Sequence, residues 1–275
     1  MPKKTKLNIG IVGCGAIGSS LAKEIVTGMP LVARLVALYD LQPEKSALLS
    51  RRLIKNTKFC VTSLDDLIKK SDLVIESSCA QAAWEIARKS LLRGRKVMVM
   101  SVGGMVGHLD QLFVLARKYG GQAYFPSGAI SGIDALKAAN IDGVQSVVLT
   151  TRKHPDAFSG VEYVFKRFNL KGLKKDKVLF SGTAGQAVKH FPQNVNVAAV
   201  LGLAGIGMHK TKVRIIASPS VRKNIHEILI KSKAANIFTR TENILHPQNP
   251  KTSYLAVLSA VATLKQILQP IKIGT

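Results

Sequence analysis

Through residue 125, short apolar runs alternate with segments whose apolar positions recur every three or four residues. Leu7–Val12, 32–39, 58–61, Leu73–Glu76, 96–100 and 122–125 read as strands. Residues 16–27, Pro43–Ile54, a segment opened by Ser63 with Asp66 at the capping-box position, Ala80–Leu92 and 108–119 read as helices. This alternation predicts an N-terminal Rossmann-type, doubly wound parallel sheet in an α/β protein. Beyond residue 126 the pattern changes. Ile133–Ala139, 160–168 and 183–191 read as helices, the last closed by Pro192, and 196–205 as a buried apolar helix. Residues 144–151 and 178–181 read as strands. Three strand-like runs follow at 212–217, 225–230 and 235–240, and their short connections predict a second α+β domain with a mainly antiparallel sheet. A last helix is expected from Pro250, capped by Asn249, with Tyr254, Val257, Leu258, Val261, Leu264 and Leu268 in one stripe.

The turn after the first strand reads Gly13-Cys14-Gly15-Ala16-Ile17-Gly18. Gly13 allows the tight turn, Gly15 lets backbone approach a pyrophosphate, and Gly18 lets helix pack on strand. Ala16 and Ile17 open the helix whose free N–H groups and positive dipole end suit phosphate. Asp40, at the end of the second strand, stands where an acidic residue holds ribose hydroxyls and favours NAD over NADP. A glycine-rich turn in some other α/β protein is the alternative. Ligands of such sheets bind beyond the carboxyl ends of the strands, which adds residues 77–80, 101–104 and 127–132 to the candidate edge. The expected organisation is a dinucleotide-binding domain over 1–126, with a helix over 250–275 packing back on it. Residues 127–249 would form a substrate-binding and dimerisation domain whose open sheet face makes a homodimer.

Composition changes this picture little. Forty basic against sixteen acidic residues give a net charge of +24, which raises nucleic acid or an anionic membrane as partners. The basic residues are dispersed and not interleaved with aromatics, so solvated faces are the preferred reading, with no specific nucleic acid and no membrane partner. The apolar stretch 195–208 is shorter than the ~20 residues of a spanning helix. The basic N-terminus leads into a strand rather than a signal-peptide core, so a cytoplasmic protein is expected. Cys14, Cys60 and Cys79 show neither metal spacing nor an even disulfide set, and no metal is expected. Cys14 reads as a small filler of the fingerprint, and Cys79, near a strand end, as a packed small residue, with contact to a ligand as the alternative.

Three polar placements stand out in the second half. Asn194 and Asn196 either cap the apolar helix or offer a carboxamide to a nicotinamide or a substrate. Asn224-Ile225-His226-Glu227 opens a strand, and His226 is either a satisfied strand residue or an acid–base group. Alternation puts Ile225 toward the core and His226 on the opposite, free face. For Thr241-Glu242-Asn243 and for 249–254, turn and cap roles would suffice.

Taken in order, Gly13 to Gly18, Ser127-Gly128-Ala129-Ile130, Thr150-Thr151-Arg152-Lys153, residues 191–199, Asn224-Ile225-His226, Thr241-Glu242-Asn243 and 249–256 resemble the NAD(P)-dependent L-aspartate dehydrogenase family over nearly the whole chain. The resemblance implies His226 as the catalytic residue, and Ala129 and Asn196 as contacts of the nicotinamide cofactor, NAD or NADP. It further implies a small dicarboxylic amino-acid substrate, oxidised to oxaloacetate or to an iminoaspartate destined for nicotinamide-ring synthesis. A histidine titrating near neutrality suits that proton transfer. Lys153, Arg152, Lys251 and His226 are the candidates for holding the carboxylates. Two positions depart from the family: Ser218 replaces the aspartate of Ala-Asp-Pro, and Gly185-Gln186 replaces an Arg-Glu pair. The first removes a carboxylate near His226 in sequence; the second removes a charge pair at a helix start. A two-domain reductase of the dihydrodipicolinate reductase type, and a catalytically silent dinucleotide sensor, are the alternatives.

Overall fold

The computed structural model describes residues 6–54, 58–191, 196–247 and 249–275, which fall into two compact units. The first runs to Pro126 and takes in Ala260–Lys272; the second is Ser127–Ser259 with Ile273–Thr275.

In the first unit, β1 (Leu7–Val12), α1 (Ala16–Gly28), β2 (Ala33–Tyr39), α2 (Pro43–Ile54), α3 (Leu64–Lys70), β3 (Leu73–Glu76), α4 (Ala80–Leu92), β4 (Lys96–Val99), α5 (Leu109–Tyr119) and β5 (Gln122–Tyr124) alternate as the pattern predicts. All pairs are parallel, in the order β2-β1-β3-β4-β5. Both faces of this sheet are covered, which is why its strands are mostly apolar, with Asn8, Arg34, Lys96 and Gln122 at or near the strand starts. Ile9, Ile11, Leu73, Ile75 and Met98 point to one core with Leu21 and Ile25 of α1. Val12, Val74, Val97 and Val99 point to the other, with Leu67 of α3, Ile86 and Leu91 of α4 and Leu112 of α5. The strand expected over 58–61 is not formed. Only Cys60 bridges Leu38, because the chain turns at once into α3, whose first turn Ser63 caps by accepting from Asp66 N.

The second unit holds α6 (Ile133–Ala139), β6 (Val144–Lys153), α7 (Glu162–Phe165), β7 (Lys177–Thr183), α8 (Ala184–His190), α9 (Asn196–Ala204), β8 (Lys212–Ala217), β9 (Asn224–Ser232) and β10 (Asn236–Asn243). The sheet order is β10-β9-β6-β8-β7, and every pair is antiparallel except β6 with β8. β8 and β9 follow one another in the chain but are not paired, since the long β6 lies between them. Pro192 and Asn194 lie outside the described residues. The substitution at Gln186 has a local explanation: Thr183 N donates to its Oε1 at 2.9 Å and Gln186 N to Thr183 Oγ1 at 3.3 Å, a capping box that keeps the helix start without a charge.

The last helix starts later than expected. Residues 249–253 form β12 (Asn249–Ser253), paired with β11 (Leu245–His246), and α10 (Tyr254–Leu268) follows. Proline fits a short edge strand as well as a first helical turn, so the sequence signal at Pro250 was ambiguous. The buried stripe of α10 is Val257, Ala260 and Leu264, whereas Tyr254 and Leu258 are exposed. Ala260 and Leu264 join the core of Ile9, Ile11 and Leu21, with Lys265 paired to Glu24 at 3.3 Å. Leu264→Ala is expected to cost about 2–5 kcal/mol, the range for emptying a fully buried leucine site. Urea unfolding followed by circular dichroism checks this, and an unchanged midpoint would contradict it.

Candidate active site

In the first unit the carboxyl ends of the strands carry the fingerprint turn. Gly13 has φ +90°, and a Cβ there would fall 2.5 Å from Ser77 O. A Cβ at Gly18 would fall 1.9 Å from Gly13 O, so helix and turn touch backbone to backbone. Gly15 is different: a Cβ there meets nothing within 4 Å, and its φ of −73° suits any residue. Open space over the turn, beside the N-terminus of α1, is the cradle a pyrophosphate requires. Asp40 is tied to that turn, with Oδ2 accepting from Cys14 N at 2.7 Å and Oδ1 from Gln42 N at 2.9 Å. Each oxygen keeps a lone pair, so the residues present fit a dinucleotide with a free ribose. Cys14 is buried as expected, and burial, followed by the Asp40 charge, pushes its thiol up to about 12. Cys79, expected to be packed, is instead exposed at the N-cap of α4, where the chain has already left the sheet.

A further residue organises this edge. Glu76 is fully buried at the end of β3. It accepts from Ser78 N and Oγ at 2.8 Å, and from Ser101 N and Oγ at 2.9 Å, clasping the loops after β3 and β4. A single carboxylate closing the apolar run Leu73-Val74-Ile75 was the available signal.

In the second unit, polar side chains collect at one end of the inner face of the sheet. On β6, Val147 and Leu149 are buried, and the same parity continues into Thr151 and Lys153. Thr151 pairs across with His226, and His226 with Thr241. Thr151 Oγ1 and His226 Nδ1 lie 2.9 Å apart. Two residues further along their strands come Lys153 on β6 and Asn243 on β10. Thr151, Lys153, His226 and Asn243 are 4%, 8%, 4% and 2% exposed, so all four are effectively withdrawn from water. The expected orientation of His226 is corrected: it shares its face with the fully buried Ile228 and Ile230, and the partly exposed Glu227 and Leu229 share the other face with Ile225. Its neutral-range titration is corrected too. Burial, and then the Lys153 charge, push the imidazole down to about 3. Burial also lowers the Lys153 ammonium to about 8.

The segment Thr241-Glu242-Asn243 does more than turn or cap. Thr241 Oγ1 and Asn243 Nδ2 both donate to Ala129 O, at 3.2 and 3.0 Å. Ala129 follows Gly128, at φ +72°, where a Cβ would stand 3.6 Å from Val197 Cγ1. The structure thus brings Gly128, the residue before Ala129, to the first turn of α9, which Asn196 opens. Arg152 faces the other way, paired with Asp176 at 2.8 Å and Glu227 at 3.4 Å, and so is not on the face of His226. The Lys251 side chain lies outside the described residues. Ser218 donates to Asp176 Oδ1, and its N–H donates to Lys153 O at 2.8 Å, so the substitution there bears on the end of β6 and not on the His226 ring.

A Rossmann-type unit with this turn, followed in the chain by a mixed sheet with a buried histidine, defines a two-domain dinucleotide-dependent oxidoreductase. Residues 13–126 match the family described as homoserine dehydrogenase, NAD binding domain, and residues 134–267 that described as aspartate dehydrogenase, C-terminal. The L-aspartate dehydrogenases of Methanococcoides burtonii and Methanosarcina mazei are each 46% identical over 272 residues, 98% of this chain and all of theirs. The crystal structure of an aspartate dehydrogenase from Thermotoga maritima superposes with a TM-score of 0.74 at 25% identity, covering 98% of this chain and all of the other. The chain belongs to the L-aspartate dehydrogenase family.

The buried histidine has a consequence for stability. With its folded value at about 3 and the ordinary value at 6.5, the unfolded chain binds the extra proton between those limits. The contribution is therefore present above about pH 6.5 and is lost as pH falls toward 3. His226→Asn should flatten the fall in urea midpoint between pH 7 and pH 4 (about the window set by that shift). An equal fall in wild type and variant would show that the ring is not held neutral.

Proposed function

We propose that the protein catalyses NAD(P)-linked oxidative deamination of L-aspartate, and its reversal, with His226 as the proton-transfer residue. The observation that carries this is a buried neutral imidazole beside Lys153, set in a chain with full-length likeness to L-aspartate dehydrogenases. When bound, the nicotinamide supplies the acceptor for the hydride of the substrate's α-carbon. Gly13, Gly15, Ala16, Ile17 and Gly18 hold the dinucleotide, Asp40 accepts from its ribose hydroxyls, and Ala129 and Asn196 contact the nicotinamide half. The free carboxylate of Asp40 repels a 2′-phosphate, so NAD is the favoured cofactor.

The geometry around His226 then does the rest. When Nδ1–H donates to Thr151 Oγ1, Nε2 keeps its lone pair and serves as a base. Burial and the Lys153 charge hold that base unprotonated at neutral pH. Lys153 supplies the positive donor for a substrate carboxylate. A dianionic substrate beside Lys153 offsets its charge and raises the proton affinity of the ring. His226 accordingly takes a proton from the substrate ammonium, freeing the nitrogen lone pair to form C=N. Water adds to that iminium carbon, and ammonia leaves.

We also infer a homodimer formed through the outer face of the second sheet, where Phe238 is 63% exposed and stands opposite Leu229 across the strands. The three free cysteines favour the cytoplasm. Among the described residues no helix is long and apolar enough to cross a membrane.

The test is a panel of amino acids with NAD and with NADP, read at the absorbance of the reduced nicotinamide. Turnover confined to L-aspartate, with higher kcat/KM for NAD, is expected; absence of turnover with aspartate would remove the proposal. His226→Ala should lower kcat by ~10²–10⁴ with little change in NAD affinity. Gly15→Val should abolish NAD binding by calorimetry while leaving the melting temperature in place, because the added methyls enter open space and not the core.

A further inference from the structure

Asn243 carries a polar atom that is left unsatisfied among the described residues. Its Nδ2 donates to Ala129 O at 3.0 Å, which fixes the orientation of the amide, because two carbonyl oxygens have no proton to share. The other end, Oδ1, is shielded from water and has no hydrogen-bond partner among the described residues. Native proteins rarely leave a buried amide oxygen without a donor, and a role toward a ligand is one of the few reasons they do. The position matters as much as the atom. Asn243 pairs with Asn224, two residue pairs beyond Thr241–His226 and therefore on the same inner face. It is a diagonal neighbour of His226, at ~7–8 Å between strands. Lys153 holds the corresponding place on the other side, two residues beyond Thr151. His226 is thus flanked by a donor-only cation and by an amide oxygen that can only accept.

An α-amino acid needs this combination. Its carboxylates require donors, which Lys153 offers, and its ammonium requires an acceptor, which Lys153 cannot be. Thr241 Oγ1 already donates to Ala129 O. We propose that Asn243 Oδ1 accepts from the α-amino group of the substrate and so selects an amino acid over the same dicarboxylate without nitrogen. The proposal rests on the oxidoreductase reading above. The bond persists while nitrogen stays on carbon, since amine and iminium both carry N–H, and it is lost once ammonia leaves. Asn243 therefore holds the nitrogen beside the proton-transfer residue until hydrolysis is complete.

The test is calorimetric titration of L-aspartate and of succinate in saturating NADH, where no turnover occurs. Wild type should prefer aspartate by ~10–100-fold, the usual worth of a hydrogen bond to a charged group. Asn243→Leu, of similar shape, should abolish that preference while succinate affinity stays within a factor of about three. Asn243→Asp loses the bond to Ala129 but keeps an acceptor, and should retain the preference, which separates substrate binding from anchoring of the Ala129 loop. Equal loss of both ligands in Asn243→Leu, an unaltered preference in that variant, or no preference in a wild type that turns over aspartate would overturn the inference alone. A wild type that turns over no aspartate would overturn the parent reading and the inference with it.

Discussion

A polar group withdrawn from water must be given a partner, and both halves of this molecule are arranged around that requirement. In the first unit it falls on Glu76, whose carboxylate is buried at the end of an apolar strand and satisfied by four donors from two loops. Removing water makes each of those bonds stronger and makes any loss costly, so the loops are held where the parallel sheet ends. Asp40 does the same for the fingerprint turn through Cys14 N. The edge offered to a dinucleotide is thus set by these side-chain hydrogen bonds as well as by the glycines.

In the second unit the same requirement falls on the inner face of the sheet. The Ala129 carbonyl is satisfied twice, by Thr241 and Asn243, and the His226 ring once, by Thr151. Strand alternation then sorts charge between the two faces. Arg152, Glu227, Arg240 and Glu242 pair with one another on the outer side. Lys153 and a neutral imidazole occupy the inner side, where burial depresses both basic groups. The net charge of +24 is a property of the whole chain. At His226 what matters is more local, one ammonium two residues along a neighbouring strand.

Much of this was open to reading in the linear chain. Apolar periodicity predicted the alternating first unit because parallel strands buried on both faces and helices buried on one leave different repeats. The glycines were readable because only a missing Cβ permits φ +90° at Gly13 and backbone contact at Gly18. The family resemblance rested on segments such as Asn224-Ile225-His226 and Thr241-Glu242-Asn243, and full-length likeness to L-aspartate dehydrogenases agrees with it.

Other features were decided only by tertiary structure, because they depend on residues far apart in the chain. Insertion of β6 between β8 and β9 could not be seen from the short connection between those strands. Pro250 was equally compatible with helix and strand until the pairing of 249–253 with 245–246 chose the strand. Which face of β9 is buried depended on the folded sheet around it, and it fell on the side of His226. That choice took the ring out of water and moved its titration away from neutrality. Local sequence determined the elements and the types of polar residue they carry. The chemical character of those residues followed from burial and neighbouring charge, which exist only once the chain has folded.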